Sequence, residues 1–472
     1  MSTTFKFSTL KGLYNELNLN NLKLNPLTIL SANEYIKIIN NLKEQGFDIV
    51  RLSKDYGFEI IQVSRLAWKK FRRSGMTNLN TVTYGAGSLW KLSVHPLKGV
   101  LTPYPSNKYI VSDNMLLLTR TGRIDVSGLV FEGFCDLVKN SLNKDYIAFT
   151  EHLLRVTSDN KDLQLYMVAL FNSLFGKLIS NIAWYGALQP QLDSDTIEQL
   201  PIPLVSSDIR NKVVSLLKEA YKRELNAWRS YFGAMKIVAE AIGEVNVDIA
   251  SVSTMSKAKY LNRLDGSALI AINLMETVIK TLNVNSVPIK EMFDIIPGNV
   301  PWSKEYISTS GIPYIGTDAI DESSAINSDK LDRMPSHLYK SSFKKAKFGD
   351  ILIVKDGIGS LGKIGLPTQD MLVRNGILIL SPKKTTPVSS FYVASILKSR
   401  IFRKIIEMLA YGTTGQLHLQ TNTIKYLKIP ILPEHKEIGI LMKSFISDMY
   451  EAVRLKENAT AILEEEIKLR GC

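Results

Sequence analysis

From Tyr221 onward the apolar residues step along the chain by four and three: Tyr221, Leu225, Trp228, Phe232, Met235, Ala239, Ile242. The same stepping returns in Leu441, Phe445, Met449, Ala452, Leu455, Ala459 and Ile462. Steps of this kind draw one narrow stripe down a helix, the stripe by which one helix seats against another. Each series predicts about 30 residues of helix, a rod on the order of 45 Å long. The natural partner for each stripe is the other one. The alternative is two separate helices, each packed on its own domain.

Ahead of each helix the chain repeats itself. Tyr166–Gly186 and Tyr392–Gly412 align without a gap at an offset of 392 − 166 = 226, with Leu170/Ile396, Phe171/Leu397, Phe175/Ile401 and Ile179/Ile405 in register. Leu192, Thr196, Ile197, Leu200, Ile202 and Pro203 then face Leu419, Thr423, Ile424, Leu427, Ile429 and Pro430 at an offset of 227. Two unrelated amphipathic helices would not share the Tyr-Gly, the spacing and the closing Ile-x-Pro, so the chain is read as an internal duplication.

The beginnings of the copies follow. A helical stripe over Ala32–Gln45 ends at Gly46 and leads into a short strand at Ile49–Ser53. A helix from about Ser267 to Leu282, then Val287–Lys290, is its counterpart. Between these landmarks lie strand-like runs among Gly, Pro, Ser and Asn turns: Tyr109–Val111, Met115–Thr119, Leu129–Phe131 and His152–Val156 in one copy, Ile351–Val354 and Gly376–Leu380 in the other. Met115–Gly122 lines up with Asp350–Gly357, so these mixed regions are distant copies too, more diverged than the helices. The expected division is an extension over 1–30, a first α+β domain over 31–205, a central helical region over 206–265, a second α+β domain over 266–433, and a closing helix over 434–472.

Charge and composition narrow the function. A net charge of +13 makes a polyanionic partner plausible. With 45% hydrophobic and 22% charged residues the chain has the make-up of a folded protein. Two cysteines, Cys135 and Cys472, with no CxxC, fit a reducing compartment. No apolar run approaches the ~18 residues that span a membrane, and the first residues lack a signal peptide's continuous apolar stretch. A cytoplasmic protein with no membrane partner is expected.

Catalytic signatures are weak. Gly357-Ile-Gly359-Ser-Leu-Gly362 fits the dinucleotide pattern and follows a strand. Lys363-Ile364-Gly365-Leu366-Pro367 comes next, though, where a phosphate-binding helix would have to open. A tight turn, or a loop that lets Lys355 and Lys363 approach a phosphodiester backbone, fits better. The five histidines show no metal-ligand spacing. There is no Walker lysine, no Gly-x-Ser-x-Gly, and no Asn/Asp-Pro-Pro-aromatic tetrapeptide of the amino-methyltransferases. The chain reads as non-catalytic, with no metal site.

Taken in order, the motifs resemble the specificity (S) subunit of type I restriction–modification systems. Asn262-Arg263-Leu264-Asp265 is similar to the entry of that family's second half, and Phe348-Gly349-Asp350-Ile351-Leu352 to its Gly-Asp-Ile-Leu strand. Gly412-Thr-Thr-Gly415-Gln416, Ile429-Pro430 and Pro433–Ile438 resemble its closing segment. His435 stands where the family usually has Gln, and the first copy has Asn114-Met115 and Gly186-Ala-Leu-Gln189 in place of the fuller motifs. The resemblance implies an α+β fold: two pseudo-symmetric target-recognition domains separated by two long antiparallel coiled-coil helices. Each domain would read one half of a split, asymmetric site in double-stranded DNA. Tyr221, Leu225, Trp228, Phe232, Met235, Leu441, Phe445, Met449 and Leu455 would carry the helices that dock two methyltransferase (M) subunits, with restriction (R) subunits joining through the complex. S-adenosylmethionine, ATP and Mg would belong to those partners and no cofactor to this chain. The basic residues beside turns are the expected phosphate contacts: Arg120, Arg123, Lys344, Lys345, Lys347, Lys355 and Lys363. Two other classes stay open: a coiled-coil scaffold that never touches DNA, which a salt-dependent mobility shift separates, and a nucleic-acid enzyme with unrecognised motifs, which would bind S-adenosylmethionine or ATP alone.

Overall fold

The computed structural model describes residues 26–62, 79–103, 109–121, 127–185, 191–192, 194–243, 266–308, 310–357, 359–412 and 417–471. Arg123, Asn262–Asp265, Gly186–Gln189 and Thr413–Gln416 lie outside them. The chain divides into two units, Met1–Leu225 with Glu451–Cys472, and Asn226–Tyr450.

The repeated segment is two short helices in each copy rather than one. Lys161–Phe171 meets Leu174–Ala183 at a bend of 81°, and Ser390–Lys398 is followed by Arg400–Leu409. A serine makes the break both times. Ser173 Oγ accepts the Gly176 N–H at 3.3 Å and Ser399 Oγ accepts the Phe402 N–H at 3.4 Å, each capping the helix that follows. Helix Pro26–Glu44 packs on Leu174–Ala183 in the first unit, and Gly266–Leu282 packs on Arg400–Leu409 in the second. Among the described residues no single helix is long and apolar enough to cross a membrane. Only the bent pair Lys161–Phe171 and Leu174–Ala183 reaches the length, and most of its apolar residues, though not the exposed Leu174, form core.

The sheets repeat as well. In the first unit Phe58–Ile61, Leu153–Ser158, Met115–Thr119 and Ser127–Val130 lie side by side, all antiparallel, and two more strands extend the sheet. In the second unit Phe293–Pro297, Ile377–Pro382, Ile351–Val354 and Ile364–Gly365 take the same order and directions. A second sheet is built around a parallel pair in both: Thr81–Tyr84 with Tyr146–Phe149, and Ile312–Ile315 with Met371–Val373. Interior strands such as Met115–Thr119 and Ile351–Val354 are buried along their whole length, so they read as continuous apolar runs.

The ends of each copy are tied by the same hydrogen bonds. Tyr166 donates to the Pro203 carbonyl at 2.7 Å and accepts the Val205 N–H. Tyr392 donates to the Pro430 carbonyl at 2.6 Å and accepts the Leu432 N–H. Asp48–Val50 pairs with Ile202–Leu204, and Ser286–Pro288 with Lys428–Pro430. Tyr109–Val111, expected as a strand, contributes a single bridge from Ile110 to Ala148. The strand at 49 is shorter than expected, and Ile289–Met292 is a helical turn, not strand. Turn residues crowd these stretches and limit pairing to a few residues.

Two long helices complete the fold, Ser207–Ile242 and His435–Gly471.

Candidate DNA interface and helix seam

Within the second unit the long helices run antiparallel. Phe445 packs against Trp228 and Tyr231 with ring centroids 5.4 and 5.0 Å apart, while Leu441 lies beside Gly233. The buried face differs from the expected stripe. On the first helix the rows Leu217/Glu224/Tyr231/Val238 and Ala220/Ala227/Ala234 are buried, together with Tyr221, Trp228 and Ile242. Leu225, Phe232 and Met235 are only half-buried and Ala239 is exposed. On the second helix Phe445, Met449, Ala452, Leu455 and Ala459 are buried as expected. Leu441 and Ile462 are half-buried, and Ile438, Met442, Lys456, Leu463 and Ile467 lie inside instead. The stripe is wider than a two-helix seam because the helices also pack on the sheets. Tyr221 stacks on Phe131 at 5.7 Å and donates to the Leu92 carbonyl at 2.6 Å, and Leu225 covers Gly133.

The wider face holds a polar cluster. In the first unit the Lys456 amine bonds both Glu224 Oε2 and Ser93 Oγ, and Ser93 donates to that same carboxylate oxygen at 2.8 Å. All three residues are at most 4% exposed, so the ion pair is fully desolvated, and the amine also lies 4.8 Å from the Tyr221 ring centroid. Sequence reading passed over it, yet a signal was there. Leu217, Glu224, Tyr231, Val238 and Met442, Met449, Lys456, Leu463 are heptad rows, each broken by one charge, and the two charges are opposite.

The candidate phosphate contacts divide into three groups. Lys344, Lys345 and Lys347 are exposed on and beside the edge strand Lys345–Ala346. Lys345 rests over the Tyr339 ring at 4.5 Å, and Trp302, at 55% exposure, lies in the same unit. Solvent-facing lysines and aromatic faces of this kind suit a nucleic-acid surface. Arg120 and Lys355 are half-buried at the ends of equivalent strands, where Arg120 Nη1 reaches the Glu151 carbonyl at 3.4 Å and Lys355 lies 3.4 Å from Asp356. Lys363 is ion-paired. Its amine is 3.3 Å from Glu322, which also binds Arg403 at 2.5 Å. Burial works against the Glu322 carboxylate, yet the Arg403 bond and charge, with Lys363, hold it below its ordinary range. Lys398 belongs to this cluster, with its amine 5.5 Å from the Tyr231 ring centroid. Burial pushes its pKa down to about 8 against the pull of Glu322 and Asp321.

The glycine run is a turn. Gly357, Gly359 and Gly362 take φ of +102°, +76° and +74°, and strand Ile364–Gly365 follows where a dinucleotide site would need a helix. The Gly357 N–H donates to Leu417 O at 3.2 Å, which joins the turn to the closing segment.

Comparison with known proteins places these features. Residues 282–459 match the family model for the type I restriction modification DNA specificity domain. Among solved structures, the chain is similar to a type I restriction–modification S subunit from M. genitalium, at 12% identity and TM-score 0.37 over 90% of this chain and 96% of that one. It is also similar to a chain from work on complex assembly and conformational transition of the type I R-M system (16%, 0.28, 89% and 97%). A third is the HsdS subunit from Thermoanaerobacter tengcongensis (14%, 0.27, 90% and 97%). No curated protein matches. The resemblance read from the sequence and the family model agree over residues 282–459.

Proposed function

We propose that this chain, which carries a type I restriction–modification DNA specificity domain over residues 282–459, acts as a whole as the specificity subunit of such a complex. One observation carries the reading: the first unit repeats the second in the order and directions of four sheet strands, in the parallel pair of the second sheet, and in the closing ties Tyr166–Pro203 and Tyr392–Pro430. A duplicated DNA-reading fold with diverged surfaces suits two different half-sites. The two units read the halves of a bipartite, asymmetric site, and the long helices dock two methyltransferase subunits. Restriction subunits join through that complex. Methylation and cleavage, with S-adenosylmethionine, ATP and Mg, are the partners' work, and this chain supplies sequence choice. Lys344, Lys345, Lys347, Arg120 and Lys355 supply phosphate affinity.

Co-expression with a candidate methyltransferase, followed by footprinting on a random DNA library, tests the proposal. A stable complex protecting two short blocks separated by an unread spacer is expected, with binding that weakens steeply between 50 and 200 mM salt. Salt-independent binding, or protection of one continuous block, would sink the reading.

A further inference from the structure

The same backbone node closes both copies. An isolated antiparallel bridge joins Thr121 to Gln191 in the first unit and Asp356 to His418 in the second. The residue before each bridge is a cation, Arg120 or Lys355. Its carbonyl accepts the N–H of the leucine after the partner: Leu192 at 2.8 Å, Leu419 at 2.7 Å. The cation is therefore common to the two nodes, and the side-chain pair differs.

That division is what two readers of different half-sites require. Phosphates are the same in every sequence, so the groups that hold them can be shared, whereas groups that touch base edges must differ. The pair at the second node has the geometry to read. His418 Nδ1 lies 2.7 Å from Asp356 Oδ1, and the imidazole side chain is 45% exposed. In the neutral ring a carboxylate acceptor draws the proton to Nδ1 and leaves Nε2 as an acceptor. Lys355 stands 3.4 Å from the other oxygen of Asp356. Beyond the bridge, Gly357 and Gly359 hold left-handed backbone, and among the described residues nothing but its chain neighbours lies within 4 Å of where a Cβ of Gly359 would be. This leaves room for a duplex to come close.

We propose that His418, held by Asp356, reads the exocyclic amino group of an adenine or cytosine in the half-site of the second unit. The inference rests on the DNA-reading function proposed above. An Nε2 acceptor matches adenine N6–H or cytosine N4–H in the major groove and meets only acceptors on guanine and thymine. Lys355 holds the neighbouring phosphate.

The experiment is selection from a random DNA library by the full-length chain with any subunits that co-purify. His418→Ala and Asp356→Asn should relax preference at one and the same position, by roughly tenfold. Lys355→Ala should weaken all sequences alike and reduce the salt slope by about one. His418→Gln, which installs the residue of the first node, should alter the base preferred at that position without abolishing selection. A control that leaves the protein untouched replaces the base by its analogue lacking the amino group. Wild type should lose roughly tenfold, and His418→Ala nothing. Equal weakening on every sequence by His418→Ala, or an unchanged profile in a variant that keeps its thermal midpoint, overturns the assignment and leaves the DNA-reading function standing. Absence of any sequence selection by the wild-type chain overturns both.

Discussion

Glu224 and Lys456 show what one residue decides in this fold. Each is a charge in an otherwise apolar heptad row, and each is buried against the other. Removing one partner strands the remaining charge, so Glu224→Leu or Lys456→Met alone should cost about 3–5 kcal/mol in urea unfolding. The double variant should recover most of the loss, because a well-packed apolar pair of similar volume is close to neutral. A double variant as damaged as the worse single would disprove this account. Lys398 gives a second test. Between pH 8 and about 10 the unfolded chain keeps a proton on this lysine that the folded chain sheds, so folding stability should rise with pH there. Lys398→Met should flatten that rise. Neither residue stood out in the sequence, since burial of a lysine depends on what packs over it. Tyr221 over Lys456 and Tyr231 over Lys398 are contacts between residues far apart in the chain.

Among the elements, the long helices were readable and their buried face only partly so. Heptad stepping found both helices because the period belongs to the helix itself. It favoured Leu225 and Phe232 over Glu224, Ala227 and Ala234 because it counted large apolar side chains. Alanine rows and a paired charge also face inward where helices approach closely. The consequence is a ranking. Trp228→Ala and Phe445→Ala, both fully buried, should cost roughly 3–5 kcal/mol, whereas Leu441→Ala should cost clearly less. Val238→Glu should be far more damaging than Met235→Glu, the reverse of the order expected from the stripe through Met235. Thermal unfolding of the five variants checks it. Strands were found where burial on both faces made a continuous apolar run. Those of two or three residues, such as Lys345–Ala346, have pairing partners that no local pattern announces.

Across the chain as a whole, the duplication was visible in the helical segments and the closing Ile-x-Pro. The mixed regions kept their strand order after losing most of their common sequence. That is the behaviour of a scaffold under packing constraint whose loops are free to change. Replacing residues 50–165 with the matching segment of a relative should therefore change one half of the recognised DNA and preserve the other, as read by library selection. A graft that folds and changes both halves would refute independent readers. The surroundings of the individual candidate phosphate contacts were less readable. Lys363 and Lys355 look alike in the sequence, but only the structure shows that Lys363 shares Glu322 with Arg403.

The first unit is discontinuous, and that matters while the protein is being made. Its earlier part ends at Leu225 and its later part starts at Glu451, so 451 − 225 = 226 positions must be added before the second strip is available. At about 5–20 residues per second, the ribosome needs roughly 10–45 s for this. Throughout that interval Glu224 and Tyr221 wait for Lys456 with a greasy flank open to solvent. A message broken before the codon for Glu451 yields a product whose first unit lacks its second strip altogether.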